Sequence, residues 1–219
     1  MKHPTRTTLR LRVAVITATV FCLMTGLATA AGSPAVYKVR SGDNLSVIGA
    51  RFGVTVNDLK KANGLSSDLL SIGQELTISK PFRRTGRKDV RWTRPSNKLG
   101  RVLRPYGQYK KGSVLMPRTG VDLACPVGTK LVSPANGVVR HVGPMDGFGL
   151  LVIIEHGGGY ATVMSPLDPE RLTVAPGQAI LRGDPVGRTG EPVDFEDEPH
   201  LHLELRHNDK AIKPDRLYK

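Results

Sequence analysis

Apolar and polar positions follow two different patterns along this chain. Between residues 36 and 79, alternating tetrads at Tyr37–Arg40 and Glu75–Ile78 are typical of short, half-buried strands. A helix is predicted from Leu45 to Phe52, between a Ser-Gly-Asp turn and a glycine. A second helix follows Thr55, whose side chain can cap it. This part of the chain is therefore expected to fold in the order strand, helix, helix, strand.

From Lys98 onward the pattern is that of an all-β domain. Turn signals such as Gly157-Gly158-Gly159 separate short apolar runs, and no helical period exceeds two turns. The runs lie at Thr129–Val132, Gly137–Val142, Leu150–Glu155, Tyr160–Met164 and Leu201–Leu205. The fold class predicted for the whole chain is mixed, with a small α+β module followed by an all-β domain of antiparallel sheet.

The first 30 residues have the composition of a secretory signal. Basic residues precede an apolar run from Val13 to Leu27, and Ala28-Thr29-Ala30 is a small-x-small cleavage pattern. Phe21 stands where a lipidation motif around Cys22 would need a small residue, so we expect no lipid anchor. The sequence predicts an exported, periplasmic protein, and an uncleaved N-terminal anchor is the alternative.

Positive charge is concentrated between the two folded parts. The segment from Lys80 to Arg118 contains thirteen basic residues and one acid, so it carries +12 of the formal net charge of +13. Export argues against nucleic acid as its partner, which leaves anionic envelope polymers or phospholipid; a solvated tether is the alternative. We predict a linker over residues 80–97, in which Trp92 is the one residue expected to pack on a domain.

The chemistry-bearing pattern is His200-Leu201-His202-Leu203-Glu204. Alternation along a strand places both histidines on one face and the leucines on the other, in a core. Two histidines at this spacing are common in metal sites, but the pair alone is a weak signal.

Residues 36–79 resemble the LysM module closely. The resemblance is carried by Tyr37, Val39, Gly42-Asp43, Leu45, Ile48, Phe52-Gly53-Val54, Leu59, Asn63, Leu65, Ile72, Gly73-Gln74 and Leu76-Thr77-Ile78. It implies binding of glycans that contain N-acetylglucosamine, in a shallow groove between two loops. The residues carried over as glycan-binding are Gly42, Asp43, Asn44, Leu45, Asn63, Leu65, Leu70 and Ile72.

Residues 98–219 resemble the lysostaphin-like, LytM-type zinc endopeptidases. Landmarks include Gly120-Val121-Asp122, Phe148-Gly149, Tyr160-Ala161-Thr162, Thr189-Gly190 and Pro199 to Arg206. That family carries the motifs HxGxD, HL and HxH. Its zinc ligands are the first histidine, the aspartate and the last histidine, while the other two histidines act on water and substrate.

Two of these five positions are altered here. The first ligand position holds Arg118 and the HL histidine is replaced by Pro166, whereas Asp122, His200 and His202 remain. A guanidinium stays protonated and cannot ligate a metal, and proline cannot carry a proton. We therefore expect no metal, no cofactor and no catalysis. The alternative is a zinc endopeptidase with an altered site, for which His141 and His156 are spare candidate ligands.

A further departure lies between Gly190 and Pro199, where an acidic insertion replaces the family's short link. It would stand at the groove rim beside His200, either as a solvated loop or in contact with a basic partner, including the chain's own residues 80–98. The predicted groove comprises Arg118, Asp122, Tyr160, Pro166, Glu196, Asp197, Glu198, His200 and His202.

The two parts together resemble the activators of N-acetylmuramyl-L-alanine amidases in bacterial cell division. The resemblance implies a non-catalytic protein that binds peptidoglycan through the LysM module and the amidase through its groove, with septal enrichment. A zinc endopeptidase and a purely structural glycan-binding protein are the other functions that the sequence leaves open.

Overall fold

The computed structural model describes residues 34–79, 81, 90–111, 113–193 and 198–218. The predicted signal peptide and residues 82–89 of the predicted linker lie outside the described residues, as do Glu196 and Asp197. Within the described part of the chain, no helix has the length and apolar character needed to cross a bilayer.

The N-terminal module has the predicted order of elements. They are β1 (Ala35–Lys38), α1 (Leu45–Phe52), α2 (Val56–Asn63) and β2 (Glu75–Ile78). Asn44 caps α1 by accepting a hydrogen bond from Val47 N at 2.9 Å, and Thr55 and Asp58 form a capping box on α2. Strand β1 begins two residues before the predicted Tyr37, because Ala35 already pairs with Ile78.

The C-terminal domain consists of twelve strands within the described residues. They are β3 (Val102–Arg104), β4 (Gly107–Lys111), β5 (Val114–Arg118), β6 (Val121–Ala124), β7 (Lys130–Val132), β8 (Gly137–Met145), β9 (Gly149–His156), β10 (Tyr160–Ser165), β11 (Ala179–Ile180), β12 (Pro185–Arg188), β13 (His200–His207) and β14 (Lys210–Ile212). Three 3₁₀ turns lie at Gly157–Gly159, Pro169–Arg171 and Asp215–Leu217.

Eight of these strands form one antiparallel sheet. The order is β11-β8-β9-β10-β13-β6-β3, and β14 also pairs with β13; β4–β5 and β7–β12 are separate two-stranded sheets. The mixed fold predicted from the sequence, a βααβ module followed by an antiparallel β domain, is confirmed.

Strand β13 shows how the sheet positions the site. Leu201, Leu203 and Leu205 are fully buried in the main hydrophobic core, as the alternation predicts. His202 therefore points to the opposite face, where it is directly paired with Asp122 on β6 and Ser165 on β10. Because directly paired residues share a face, these three side chains lie on one side of the sheet.

The packed part of the C-terminal domain starts before the predicted boundary at Lys98. The Trp92 ring packs against the main core, with its centroid 5.3 Å from that of His156 and 5.6 Å from that of Tyr160. Thr93 N donates to Pro134 O at 2.8 Å. Trp92 therefore packs on the C-terminal domain, and the backbone hydrogen bond of Thr93 fixes the same part of an otherwise basic stretch.

Candidate functional site

The site is centred on Asp122, whose side chain is fully buried on strand β6. Its carboxylate lies 2.7 Å from Arg118 Nη1 and 3.1 Å from Arg104 Nη1. It also lies 2.7 Å from His202 Nδ1. Two guanidinium groups and one imidazole thus surround a single carboxylate, and Arg118 approaches His202 Nδ1 at 3.2 Å.

A second buried carboxylate extends this cluster along β13. Glu204 is 1% exposed and lies 3.4 Å from His202 Nε2, so both nitrogens of that imidazole face a carboxylate. Arg206 Nη1 donates to Glu204 at 2.8 Å, and the Thr119 hydroxyl donates to the same carboxylate. The face of the sheet that the family resemblance assigns to a metal carries a network of ion pairs instead.

The turn between β5 and β6 lets Arg118 reach this network. Arg118 ends β5, and Thr119 and Gly120 connect it directly to β6. A Cβ at Gly120 would lie 2.7 Å from the ring of His202 and equally close to Leu203 O. A glycine is therefore required here for the backbone to pass close enough to His202.

The ion pairs shift the pKa values of all three buried groups in the direction that keeps them charged. Burial alone would raise the pKa of Asp122, but the hydrogen bond from His202 and the charges of His202 and Arg118 lower it. Burial is likewise outweighed at Glu204, whose pKa falls to about 2 through its contacts with His202. For His202, burial lowers the pKa, but the two carboxylates reverse this and raise it.

His200 and Pro166 are near this cluster but are not bonded to it. His200 Nδ1 lies 2.8 Å from the carbonyl oxygen of Glu198, and its side chain is largely buried. Pro166 is buried directly after β10. A Cβ added at Gly149 would lie 3.3 Å from the Cβ of Pro166. Val193 Cγ2 would lie 3.1 Å from the same added Cβ, so Pro166 and Val193 both lie beside Gly149 at the start of β9.

Of the three insertion residues predicted to line the groove, the structure describes Glu198, which is exposed and lies 2.6 Å from Arg101 Nη2. Arg101 is three residues beyond the basic segment that the sequence suggested as an internal partner. Glu196 and Asp197, also predicted to line the groove, lie outside the described residues.

Tyr160 does not line the groove, so that prediction is wrong. It pairs with His207 on β13, and the next core-facing pairs along the two strands are Thr162–Leu205 and Met164–Leu203. Tyr160 is on the same face as those buried leucines and packs against the main core. Its ring stacks on His207 with centroids 4.4 Å apart.

Sequence reasoning missed two contributors to the site. Arg104 ends β3, eighteen residues before Asp122, and no local motif marks it. Phe148 lies in the turn before β9, and its ring makes a T-shaped contact with His202, with centroids 5.1 Å apart. Phe148 was a landmark of the family pattern only, and its contact with the histidine depends on where the turn between β8 and β9 places the ring.

Residues predicted to bind glycan occupy two kinds of position in the LysM module. Leu45 is 2% exposed and belongs to the core. Asn63 donates to Leu59 O and Thr77 O and accepts from Thr77 N, so its amide joins α2 to β2. Asp43 accepts from the Tyr37 hydroxyl at 2.6 Å and pairs with Arg51.

The remaining predicted glycan contacts are more accessible. Leu65 and Leu70 are partly buried, Gly42 has the left-handed backbone of a tight turn with φ +83°, and Asn44 caps α1. Ile72 is 74% exposed, and Leu69 in the same loop is 85% exposed. Two apolar side chains therefore stand in solvent on the loop between α2 and β2.

The residues present do not fit a zinc ion. Arg118 occupies the first ligand position and binds the carboxylate that would be the second ligand. Among the residues that the structure describes, no three His, Cys, Asp or Glu side chains are grouped as a metal ion requires. Filling the position with a dication would require displacing a guanidinium from a buried ion pair.

His156 is not a spare ligand, because both its ring nitrogens are used. Nδ1 lies 3.0 Å from Asn136 O and Nε2 lies 2.9 Å from the Thr162 hydroxyl, in a side chain that is 1% exposed. Burial lowers the pKa of His156 to about 4, although the hydrogen bond to Asn136 acts in the opposite direction. The neutral imidazole is thus a structural element of the β9–β10 region.

This pKa predicts how stability depends on pH. As the pH falls below 6.5, the unfolded chain protonates this imidazole while the folded protein does not until about pH 4. We expect His156 to lower the free energy of unfolding by up to ~1.4 kcal/mol per pH unit across that window. Urea titrations at several pH values, on wild type and on His156→Gln, measure this. Equal pH slopes in the two proteins would contradict it.

The antiparallel sheet with its aspartate–histidine cluster and the βααβ module each match a known protein family. Residues 116–214 match peptidase family M23 and residues 37–79 match the LysM domain. The C-terminal part of the chain is thus similar to peptidase family M23, and the N-terminal part is similar to the LysM domain.

Three relatives illustrate how far the similarity extends. The chain is 28% identical to the uncharacterised lipoprotein YgeR of Escherichia coli, covering 83% of this chain and 80% of that protein. It is 31% identical to an uncharacterised metalloprotease of Haemophilus influenzae over 55% of this chain but only 26% of that protein. A zinc-containing peptidase from Vibrio cholerae shares the fold at 20% identity, with a TM-score of 0.53 over 84% of this chain and 71% of the other.

Proposed function

We propose that this chain is a non-catalytic, peptidoglycan-binding activator of an N-acetylmuramyl-L-alanine amidase in the cell envelope. In this proposal the groove of the M23 domain binds the amidase and the LysM domain binds glycan strands. The protein acts after export, in the periplasm, and the basic segment after the LysM domain adds affinity for anionic envelope polymers.

The observation that carries the proposal is the ion pair between Arg118 and Asp122, buried beside His202. Two guanidinium groups supply the two positive charges that a dication would bring, and both pair with the carboxylate that would be a metal ligand. A hydrolase needs an open coordination position, and Pro166 removes a proton-transfer group as well. The groove is therefore better suited to binding than to hydrolysis.

The composition of the groove face supports a protein segment as its ligand. Next to the charged cluster, Leu151, Ile153 and Val163 form a separate apolar cluster on the same side of the sheet. Phe148 packs against both this cluster and His202. The three side chains of the apolar cluster are buried, and partly exposed groups on this face include the Phe148 ring and the Arg118 guanidinium. Aromatic rings and arginines are enriched at protein–protein interfaces, which favours a protein segment as the ligand.

The LysM domain supplies the affinity for peptidoglycan in this proposal. The loop between α2 and β2 exposes Leu69 and Ile72, and the turn that contains Gly42 is exposed as well. Apolar side chains of this kind pack against sugar rings, while backbone amides in the turn suit the hydroxyl groups.

Dye release from labelled sacculi tests the proposal. The mature chain alone is expected to release no dye, and to stimulate a cognate amidase several-fold when the two are mixed. Arg118→Ala should reduce the stimulation because it disrupts the groove floor. Lys213→Ala, which removes an exposed ion pair with Asp215, should not.

The opposite pattern would overturn the proposal. If the chain alone cuts sacculi, and His202→Ala abolishes that cutting, the protein is a peptidase with an altered site. If no amidase of the source organism responds to the chain, the regulatory role is wrong.

A further inference from the structure

Strand β1 of the LysM domain lies along the edge of the M23 sheet. Val36 N donates to Gly177 O at 3.0 Å, and Val36 forms a parallel bridge with Gln178. These residues lead into β11, the terminal strand of the eight-stranded sheet. An uncovered edge strand presents unpaired backbone groups, so β1 protects this edge.

The two domains also share a hydrophobic core. Val138 and Ala179 belong to the M23 sheet, are 0% and 4% exposed, and lie in the same buried cluster as the LysM residues. The LysM residues in that cluster include Ala35, Tyr37 and Ile78. Separating the domains would return this apolar surface to water, which disfavours an undocked LysM domain.

A bidentate ion pair completes the contact. Arg40 Nη1 and Nη2 donate to the two oxygens of Asp184 at 2.7 and 2.6 Å. Asp184 also accepts from Leu181 N at 2.9 Å, which holds the turn that presents the carboxylate. Because a guanidinium–carboxylate fork is planar, it fixes the relative orientation of the two domains as well as their proximity.

We propose that the LysM domain works as a docked, fixed part of the M23 domain and not as a freely tethered module. The turn containing Gly42 and Asp43 begins directly after Arg40, so the contact sets the direction of the predicted glycan site. A glycan strand bound there is held in one orientation relative to the groove. The expected effect on amidase stimulation rests on the proposed function, whereas the docking of the two domains does not depend on that function.

Charge reversal across the ion pair tests the inference. In Arg40→Glu or Asp184→Arg alone, like charges face each other and the radius of gyration from small-angle X-ray scattering of the mature chain should increase. Stimulation of the amidase on sacculi should fall several-fold in the same variants. The double variant restores the attraction and should recover both. Lys213→Glu makes the same change of charge at a distant exposed pair and should alter neither.

A cross-link provides an independent measurement. Val36→Cys with Gln178→Cys allows a disulfide across the bridged strands, and this locked protein should stimulate the amidase as well as wild type does. Val36→Cys alone, oxidised in parallel, is the matched control for an unwanted disulfide between the introduced cysteine and the buried Cys125.

Two results would overturn the inference. The first is a scattering profile of the wild-type chain that fits a freely tethered LysM domain and not the docked arrangement. The second is a locked protein that loses stimulation and regains it on reduction, since undocking would then be required for function. If no variant, including wild type, stimulates an amidase while the scattering changes as expected, docking stands and the proposed function is what fails.

Discussion

Replacing Asp122 by alanine is expected to lower the free energy of unfolding by about 3–5 kcal/mol, the usual effect of removing one partner from a buried ion pair. The carboxylate is fully buried and binds Arg104, Arg118 and His202. Its removal leaves these positive groups facing one another away from bulk water. Urea unfolding followed by the fluorescence of Trp92, the single tryptophan, measures the loss.

Two variants separate charge from shape in this experiment. Asp122→Asn keeps the volume and the hydrogen-bond acceptor but loses the charge, so its destabilisation should be smaller than that of alanine. Glu198→Ala breaks the exposed pair with Arg101 and should change stability by less than about 1 kcal/mol. If Asp122→Ala were no more destabilising than Glu198→Ala, the buried network would not be contributing to stability.

The N-terminal module was largely readable from the sequence because its signals are local. Helix α1 has the predicted bounds, and Thr55 caps α2 as expected. The alternation through β13 correctly placed His200 and His202 opposite a row of buried leucines. In each case the information lies within a few residues, as a cap, a glycine or a two-residue period.

The site was only partly predictable because its partners come from distant strands. Arg104 reaches Asp122 through the β3–β6 pairing, which no short motif encodes. Tyr160 was placed in the groove because it marks the family pattern, yet strand parity puts it in the core. Strand β10 has apolar side chains on both faces, Val163 on one and Met164 on the other, so alternation could not correct that error.

Arg118→His combined with Pro166→His is expected to create equimolar zinc binding, which we do not expect of the wild-type chain. The change restores a third ligand beside Asp122 and His202 and removes a guanidinium. At ~4 Å and an effective dielectric of ~20, one positive charge repels a dication by roughly 8 kcal/mol. Even half of that repulsion would weaken zinc binding about a thousandfold. Metal analysis after dialysis against zinc, with Kd by competition, measures the gain.

Single variants show which part of the change matters. Arg118→Ala removes the charge without supplying a ligand, and Pro166→His alone leaves the guanidinium in place, so neither should hold zinc through dialysis. Because Arg104 remains 3.1 Å from Asp122, adding Arg104→Gln to the double variant should tighten zinc binding further. Equimolar zinc in the wild-type protein, or equal zinc content in Arg118→Ala and the double variant, would show that Arg118 does not exclude the metal.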